Sequence, residues 1–374
     1  MGVGSIKDLP TELMDQKFGK ALIVTDKNMV NLGYVERVET ILQSLFIGHD
    51  VFEGVVHPEP TVGFVEAGLD YFEKGLLKRD YGLVISIGGG TNHDCAKAIA
   101  AVATNGGSII DYEGYNKVAK PIVPTICINT TGGSGAEVTW TVIITDTSRN
   151  VKMTITSPEL MPIISVNDPM FMVSMPQPVT ASSGIDVIVH SIESYITTEA
   201  SPVTDYLALG ALKIAYQYLP QAYENGSDLE AREQMMFASV MAGMTLNNSG
   251  LGYTHSLAHQ LGGFYHYMHG NFTGVLLPYV IDFNAVSVPD DKILKIAEAM
   301  NIKASSKSKA VDKIMDALLK LNSEIGIPKG LNQLGFDEHN KEQIAINALK
   351  DLTTFVNPRM GTVEDMMNII NAAR

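Results

Sequence analysis

The first half of the chain alternates short apolar runs with amphipathic helical patterns, and this alternation constrains the fold more than any other feature. The runs rich in Val, Ile and Leu predict strands at residues 21–26, 49–56, 81–87, 121–130 and 161–168. Helical patterns lie between the first four runs, for example at residues 35–46 and 62–77. Apolar runs that alternate with helices predict a parallel sheet with crossover helices.

This texture changes after about residue 176. Residues 201–224 and 228–248 have a helical period, and strand-like runs disappear. Two prolines interrupt the pattern within residues 175–180, which is where we place a boundary. The sequence therefore predicts a Rossmann-like α/β domain at residues 1–176 and an all-helical domain at residues 177–374.

Composition excludes several classes of function. The formal net charge is −14 and no local run of Lys and Arg is present, which argues against a binder of nucleic acid phosphates. No apolar run approaches the roughly 18 to 20 residues that a membrane span needs, and the N-terminus does not resemble a signal peptide. Cys95 and Cys127 lie in predicted core segments, so we expect reduced thiols and a cytoplasmic protein.

A glycine loop follows the third predicted strand. Gly88, Gly89 and Gly90 come just before a helix, with Thr91 and Asp94 as a possible capping pair. Glycines allow close approach of a ligand, and a helix N-terminus suits a pyrophosphate. The loop is not the common G-x-G-x-x-G fingerprint, and taken alone it is equally consistent with a tight turn.

A second small-residue loop strengthens the case for a nucleotide site. Thr130, Thr131 and Ser134 follow the fourth predicted strand, so both loops should lie at the same edge of the sheet. Asp26 ends the first strand at that edge, where a carboxylate accepts hydrogen bonds from ribose hydroxyls and repels a 2′-phosphate. The alternative for Asp26 is a simple turn residue.

Histidines and one aspartate in the second half suggest a metal site. Asp186 and His190 are spaced i,i+4, as are His255 and His259, and His269 follows beyond a Gly-Gly break. One carboxylate with imidazoles suits Fe²⁺ or Zn²⁺. The spacing does not decide which residues bind, and a lone interior histidine is more often a core residue. Glu193 is expected to be an exposed helix carboxylate.

The ordered motifs resemble the iron-dependent (group III) alcohol dehydrogenases over nearly the whole chain. They are GGGTNHDCAK, TTGGSGAEVT, VNDP, GIDVIVHSIESYIT, the segment at 252–270 and NPR near the C-terminus. Within this family, the sequence most resembles the branch of methanol and 1,3-propanediol dehydrogenases. The resemblance implies a dehydroquinate synthase-like fold, with a dinucleotide-binding domain followed by a helical metal-binding domain.

The resemblance also implies roles for individual residues. The metal ligands fall on Asp186, His190, His255 and His269, whereas His259 matches a histidine that relays protons and His266 matches no ligand. The cofactor-binding residues fall on Asp26, Gly88, Gly89, Gly90, Thr91, Asp94, Lys97, Thr130, Thr131, Ser134 and Lys152. The family usually has Ser where this chain has Thr91, and the hydroxyl is retained.

The implied activity is reversible hydride transfer between a small primary alcohol or diol and NAD, with Fe²⁺ as the metal and Zn²⁺ as an alternative. A small alcohol or aldehyde is the expected partner, together with other copies of the chain in a homodimer or larger homo-oligomer. Trp140, Phe264 and Tyr265 are candidates to line the substrate pocket. The rival interpretations are a zinc enzyme similar to glycerol dehydrogenase or dehydroquinate synthase, and a non-catalytic assembly protein.

Overall fold

The computed structural model describes residues 1–14, 16, 18–56, 59–73, 81–149 and 151–374. They form two compact units, Met1–Thr131 with Ala136–Ser174 and Gly132–Gly135 with Met175–Arg374. The short segment Gly132–Gly135 thus groups with the second unit, although it lies within the first half of the sequence.

The first unit carries the strands. They are β1 Lys20–Val24, β2 His49–Phe52, β3 Tyr81–Gly88, β4 Gly114–Tyr115, β5 Thr125–Asn129, β6 Thr141–Asp146, β7 Val151–Thr156 and β8 Ile164–Asn167. Its helices are α1 Leu9–Met14, α2 Lys27–Asn31, α3 Tyr34–Ser44, α4 Val62–Glu73 and α5 Gly90–Asn105. The predicted helix at 62–77 is confirmed as far as it is described, and its residues 74–77 lie outside the described residues.

The predicted parallel sheet is confirmed. Among the described residues it has the order β2-β1-β3-β5-β8, and every neighbouring pair is parallel. Alternate residues of β1 enter different apolar clusters: Leu22 and Val24 pack in the cluster that includes α5, and Ala21 and Ile23 in the cluster that includes α3. Burial on both faces explains why these strands read as continuous apolar runs rather than alternating ones.

A second sheet was missed by the sequence analysis. Strands β6 and β7 pair antiparallel, and the short strand β4 joins β7 in parallel. The runs TVIITD and VKMTIT are rich in β-branched residues and are separated by a few residues, which is a hairpin signal. The hairpin lies between the runs at 121–130 and 161–168, so it belongs to neither of the predicted parallel strands.

The regular elements in the described residues of the second unit are all helices, as predicted. Its helices are α6 Gln177–Ile196, α7 Pro202–Glu224, α8 Leu229–Ser249, α9 Tyr253–Tyr265, α10 His269–Ala285, α11 Asp290–Ala299, α12 Lys307–Glu324, α13 Lys341–Ala348 and α14 Val363–Ala372. Helix α6 is buried almost all round, from Thr180 to Ile196 with a single partly exposed residue. Polar side chains on α6 therefore lie inside the unit. No described helix has the length and apolar character required to cross a membrane.

Candidate functional site

The predicted metal ligands come from three helices of the second unit. Asp186 and His190 lie one turn apart on α6, His255 lies in the first turn of α9, and His269 begins α10. The first three side chains are buried, and the side chain of His269 is 29% exposed. This burial positions the imidazoles where they are largely shielded from water, with one side of the group accessible.

The imidazole nitrogens converge on the Asp186 carboxylate. Nε2 of His190 lies 3.5 Å from Oδ2, and Nε2 of His255 and of His269 lie 3.6 Å and 3.8 Å from Oδ1. The rings of His190 and His255 stack with centroids 4.8 Å apart. One donor atom each from Asp186, His255 and His269 fall within 4.8 Å of one another. These separations exceed hydrogen-bond lengths and suit atoms that share one metal ion.

Glu193 belongs to this site, and the expectation that it is an exposed helix carboxylate is wrong. It is 1% exposed, and its Oε2 lies 2.7 Å from Nδ1 of His255. Its two oxygens also accept the backbone N–H groups of Gly252 (3.1 Å) and Thr254 (2.6 Å) at the start of α9. A carboxylate behind a histidine fixes the ring and leaves the other nitrogen available for a metal.

The groups around Asp186 favour its ionised form. Burial disfavours ionisation of Asp186, but the surrounding histidines outweigh it and lower the pKa of this carboxyl. Burial also opposes protonation of His255, yet the carboxylates of Asp186 and Glu193 together raise the pKa of this imidazole to about 9. Thr273 on α10 donates its hydroxyl to Asp186 Oδ1 at 3.0 Å. Asp186 is therefore an anion held by its neighbours, as a metal ligand should be.

His259 lies beside the ligand group and has its own carboxylate. Its ring stacks on that of His269 at 5.5 Å and meets that of His255 edge-on at 6.0 Å. Its Nδ1 lies 2.8 Å from Oδ2 of Asp351, a buried residue that no motif had singled out. Asp351 is about ninety positions away in the sequence, so spacing could not have revealed it.

The segment between His259 and His269 differs from the expected Gly-Gly break. Gly262 and Gly263 lie inside α9, and the helix ends instead at Tyr265, followed by His266 with a left-handed φ of 55°. His266 is exposed, which is consistent with its lack of a match to a ligand. The pocket candidates Phe264 and Tyr265 are partly buried, and Tyr265 is fixed to the backbone carbonyl of Asp337 at 3.3 Å.

The two predicted nucleotide loops meet at the carboxyl edge of the parallel sheet. The N–H of Thr130 donates to the carbonyl of Gly88 at 2.9 Å, and a Cβ at Gly89 would come within 2.8 Å of the Thr131 side chain. Asp26 reaches the same edge, where one carboxylate oxygen caps α2 and the other accepts the side-chain amide of Asn92 at 3.0 Å. A larger residue at position 89 would therefore collide with the Thr131 side chain.

Two residues of α5, Asp94 and Lys97, have surroundings that the sequence did not reveal. The capping pair of Thr91 and Asp94 is wrong, because α5 begins at Gly90 and the Asp94 carboxylate accepts the N–H of Ile143 at 3.0 Å. Lys97 is fully buried, and its ammonium donates to three backbone carbonyls at 2.7–3.1 Å. These carbonyls belong to Ala136, Thr139 and Thr141. With its three N–H bonds engaged, Lys97 holds this turn in place.

The remaining candidates are Lys152 and Ser134 for the cofactor and Trp140 for the substrate pocket. Lys152 is buried on β7 and forms an ion pair with Glu59, whose other oxygen accepts the Thr145 hydroxyl at 3.0 Å. Trp140 is partly buried just before β6. Ser134 belongs to the segment Gly132–Gly135 of the second unit, where a Cβ on Gly133 would come within 2.5 Å of Ser183.

Comparison with known proteins decides the family. Residues 1–169 match the profile described as iron-containing alcohol dehydrogenase, and residues 180–374 match its C-terminal counterpart, the Fe-containing alcohol dehydrogenase family. The chain belongs to the iron-containing alcohol dehydrogenase family. The resemblance found in the sequence motifs is thereby confirmed.

Individual members of the iron-containing alcohol dehydrogenase family are similar along their whole length. The NAD-dependent methanol dehydrogenase of Bacillus methanolicus is 40% identical over 375 residues, with 100% of this chain and 97% of that protein covered. The 1,3-propanediol dehydrogenase of Citrobacter freundii is 39% identical over 95% of this chain and 91% of its own length. A crystal structure of a 1,3-propanediol oxidoreductase superposes with a TM-score of 0.94 at 37% identity, covering 100% of this chain and 97% of that chain.

The residues present fit the metal that the family name implies. The buried Nε2 of His255 has no hydrogen-bond partner among the described residues, although it faces the Asp186 carboxylate. A buried, unpartnered polar atom is costly unless something occupies its lone pair. Three imidazoles with one carboxylate are a donor set for Fe²⁺ or Zn²⁺.

Proposed function

We propose that this chain catalyses the reversible, NAD-dependent oxidation of a small primary alcohol or diol to the aldehyde. The convergence of His190, His255 and His269 on the Asp186 carboxylate is the observation that carries the proposal. These four residues would hold a divalent metal, Fe²⁺ or Zn²⁺. When bound, the metal supplies Lewis acidity toward the alcohol oxygen, and NAD supplies the hydride acceptor.

The glycine-rich edge of the first unit would bind the cofactor. Gly88, Gly89 and Gly90 leave room for a pyrophosphate at the N-terminus of α5, where backbone N–H groups and the helix dipole favour an anion. Thr91, Asp94, Thr130, Thr131, Ser134 and Lys152 complete the proposed cofactor contacts, and Lys97 supports them from beneath. Asp26 places a buried carboxylate at the same edge, which favours a ribose hydroxyl over a 2′-phosphate and hence NAD over NADP.

Oxidation of the alcohol releases one proton in addition to the hydride. His259 would accept the proton, because it is the histidine beside the ligand group whose ring is not in the donor set. A neutral imidazole with a proton on Nδ1 has its lone pair on Nε2, which is the atom that would take the proton and pass it to water.

The wider setting is proposed on the same basis. We infer a homodimer or larger homo-oligomer, as the resemblance implied. A cytoplasmic location is supported by Cys95 and Cys127, which are both buried and unpaired with each other. Retention of all four ligand positions and both cofactor loops argues against a non-catalytic assembly role.

A panel of alcohols tests the proposal. Protein loaded anaerobically with Fe²⁺, and separately with Zn²⁺, would be supplied with methanol, ethanol, butanol, 1,3-propanediol or glycerol, and NADH formation recorded. We expect turnover with at least one short primary alcohol, and a lower rate when NADP replaces NAD. Activity confined to glycerol with Zn²⁺ would favour the glycerol dehydrogenase alternative. Folded, metal-loaded protein that turns over none of them would contradict the proposal.

A further inference from the structure

The contact between Asp351 and His259 has a chemistry that goes beyond the ligand set. Asp351 lies just before the short 3-10 helix Leu352–Val356, and its side chain is 4% exposed. Its Oδ2 lies 2.8 Å from Nδ1 of His259. The two residues are far apart in the sequence, so the tertiary fold of the second unit, and not proximity along one helix, brings them together.

The other oxygen of Asp351 is committed elsewhere. Oδ1 accepts the backbone N–H of Thr353 at 3.0 Å and the Thr353 hydroxyl at 2.9 Å. Two donors therefore hold one edge of the carboxylate and aim the opposite edge at His259. Burial alone would favour a neutral carboxyl, but His259 and the Thr353 donors outweigh it and lower the pKa of Asp351. An ionised carboxylate only accepts hydrogen bonds, so Nδ1 of His259 must be the donor.

His259 differs from the three ligand histidines in what it faces. Within the described part of the chain, the Asp186 carboxylate has ion-pair contacts with His190, His255 and His269 but not with His259. His259 nonetheless stacks on His269 at 5.5 Å, so it borders the ligand group. Its neighbour His255, one turn earlier on α9, has Glu193 in the corresponding position. Each of the two histidines on α9 thus has its own buried carboxylate.

We propose that Asp351 is a positioning residue that fixes His259 in the tautomer with a proton on Nδ1 and a lone pair on Nε2, so that His259 can accept the substrate proton. The inference rests on the proposed function, because it assigns a partner to the proton-accepting histidine of that reaction. Asp351 itself does not contact substrate and does not change its protonation state. Its contribution is to hold the ring in one orientation and one tautomer, as a buried carboxylate does behind a catalytic imidazole.

Asp351→Asn is a sharp test because the surroundings dictate how the amide must lie. The two Thr353 donors require an acceptor at the Oδ1 position, so the amide oxygen goes there and the NH₂ group faces His259. Nδ1 of His259 must then accept a hydrogen bond, so the ring proton moves to Nε2. Nε2 then has no lone pair with which to accept the substrate proton. The substitution keeps the shape of the side chain and reverses the tautomer.

The experiment uses zinc-loaded full-length protein with ¹⁵N-labelled histidine, and records His259 by NMR together with zinc content, kcat and KM. In the parent we expect the proton on Nδ1. In Asp351→Asn we expect it on Nε2, with zinc content and alcohol KM retained and kcat lowered on the order of 10²-fold. Asp337→Asn is the matched control, because Asp337 contacts Nδ1 of the exposed His339 at a similar 2.9 Å. It should change neither kcat nor KM.

Two results with Asp351→Asn would overturn the inference. One is full kcat in Asp351→Asn with the tautomer reversed, and the other is loss of zinc from this variant, which would assign Asp351 to the metal centre. If Asp351→Asn does not fold, Asp351→Glu keeps the acceptor; we expect an Nδ1 proton and turnover above that of His259→Ala. Turnover no higher than His259→Ala, with that tautomer intact, would contradict the inference. Tautomer assignment needs no turnover, so a parent inactive on every alcohol would count against the proposed function alone.

Discussion

At the scale of single residues, buried carboxylates determine what the histidines can do. Glu193 and Asp351 each lie within hydrogen-bond distance of Nδ1 of a histidine on α9, so in the neutral form of each ring the lone pair is on Nε2. His255 belongs to the proposed ligand group, and His259 lies beside that group. The same interaction can therefore serve metal binding in one case and proton acceptance in the other.

Replacing Glu193 should weaken metal binding without removing a ligand. Both oxygens of Glu193 accept hydrogen bonds, so a Gln at this position would point its NH₂ at another N–H group. We expect Glu193→Gln to lower metal affinity by about 10- to 100-fold. Competition with a chelator would measure this, with the exposed Glu199→Gln as control. Equal affinities in the two variants would show that Glu193 does not orient His255.

Glu137 provides a residue-scale prediction about pH. It is 1% exposed in the first unit, and burial raises its pKa from 4.5 to about 7. The unfolded chain releases this proton first, so the raised pKa makes stability fall as pH rises from about 4.5 to about 7. Glu137→Gln removes that loss, and its stability relative to the parent should increase by about 3 kcal/mol between pH 4 and pH 8.

Urea unfolding of the parent and of Glu137→Gln at several pH values measures this difference. Glu113→Gln is a suitable control because Glu113 is partly exposed and pairs with Arg149 at 2.9 Å. A difference between Glu137→Gln and the parent that does not vary with pH would mean that the pKa of Glu137 is the same in the folded and the unfolded chain.

At the scale of elements, close helix packing positions the ligands. Gly270 follows His269 at the start of α10, and a Cβ there would lie 1.8 Å from the backbone carbonyl oxygen of Ser182 on α6. The helix that begins with His269 can approach the helix that carries Asp186 only because this position has no side chain. The glycine required for that approach is thus Gly270, and not the Gly-Gly pair inside α9.

Gly270→Ala should therefore destabilise the protein. The added methyl meets backbone, which cannot rotate away, and we expect a loss of about 1–3 kcal/mol in the free energy of unfolding. Gly210→Ala on α7 is the matched control, because its Cβ would meet only the flexible end of the Met241 side chain among the atoms around it. Thermal unfolding compares the two, and equal melting temperatures would contradict the packing argument.

The elements were predictable to the extent that their burial followed a simple pattern. The parallel strands are buried on both faces and were recognised as continuous apolar runs. Glu193 was misread because a carboxylate on a helix is normally exposed, whereas α6 is buried almost all round. Asp351 and Thr273 could not be found from spacing at all, because their contacts join segments about ninety residues apart.

At the scale of the whole molecule, the ligands come from α6, α9 and α10 of the second unit, so a bound metal would link α6 to two consecutive helices that lie much later in the sequence. A metal that binds the folded chain and not the unfolded chain stabilises it through mass action, by about 2.7 kcal/mol at a free concentration of 100 times Kd. Family membership rests on matches along the entire chain, whereas the assignment of individual ligands rests on this geometry.

The most direct test of the account is to measure metal content and NADH formation on the same samples of the parent, His269→Ala and His266→Ala. All three would be stripped of metal and reloaded anaerobically with Fe²⁺ or Zn²⁺. We expect about one metal ion per chain, with metal-dependent turnover, in the parent and in His266→Ala, whose residue is exposed outside the ligand group. His269→Ala should lose metal and turnover together. Full metal content and full activity in His269→Ala would contradict the proposed centre.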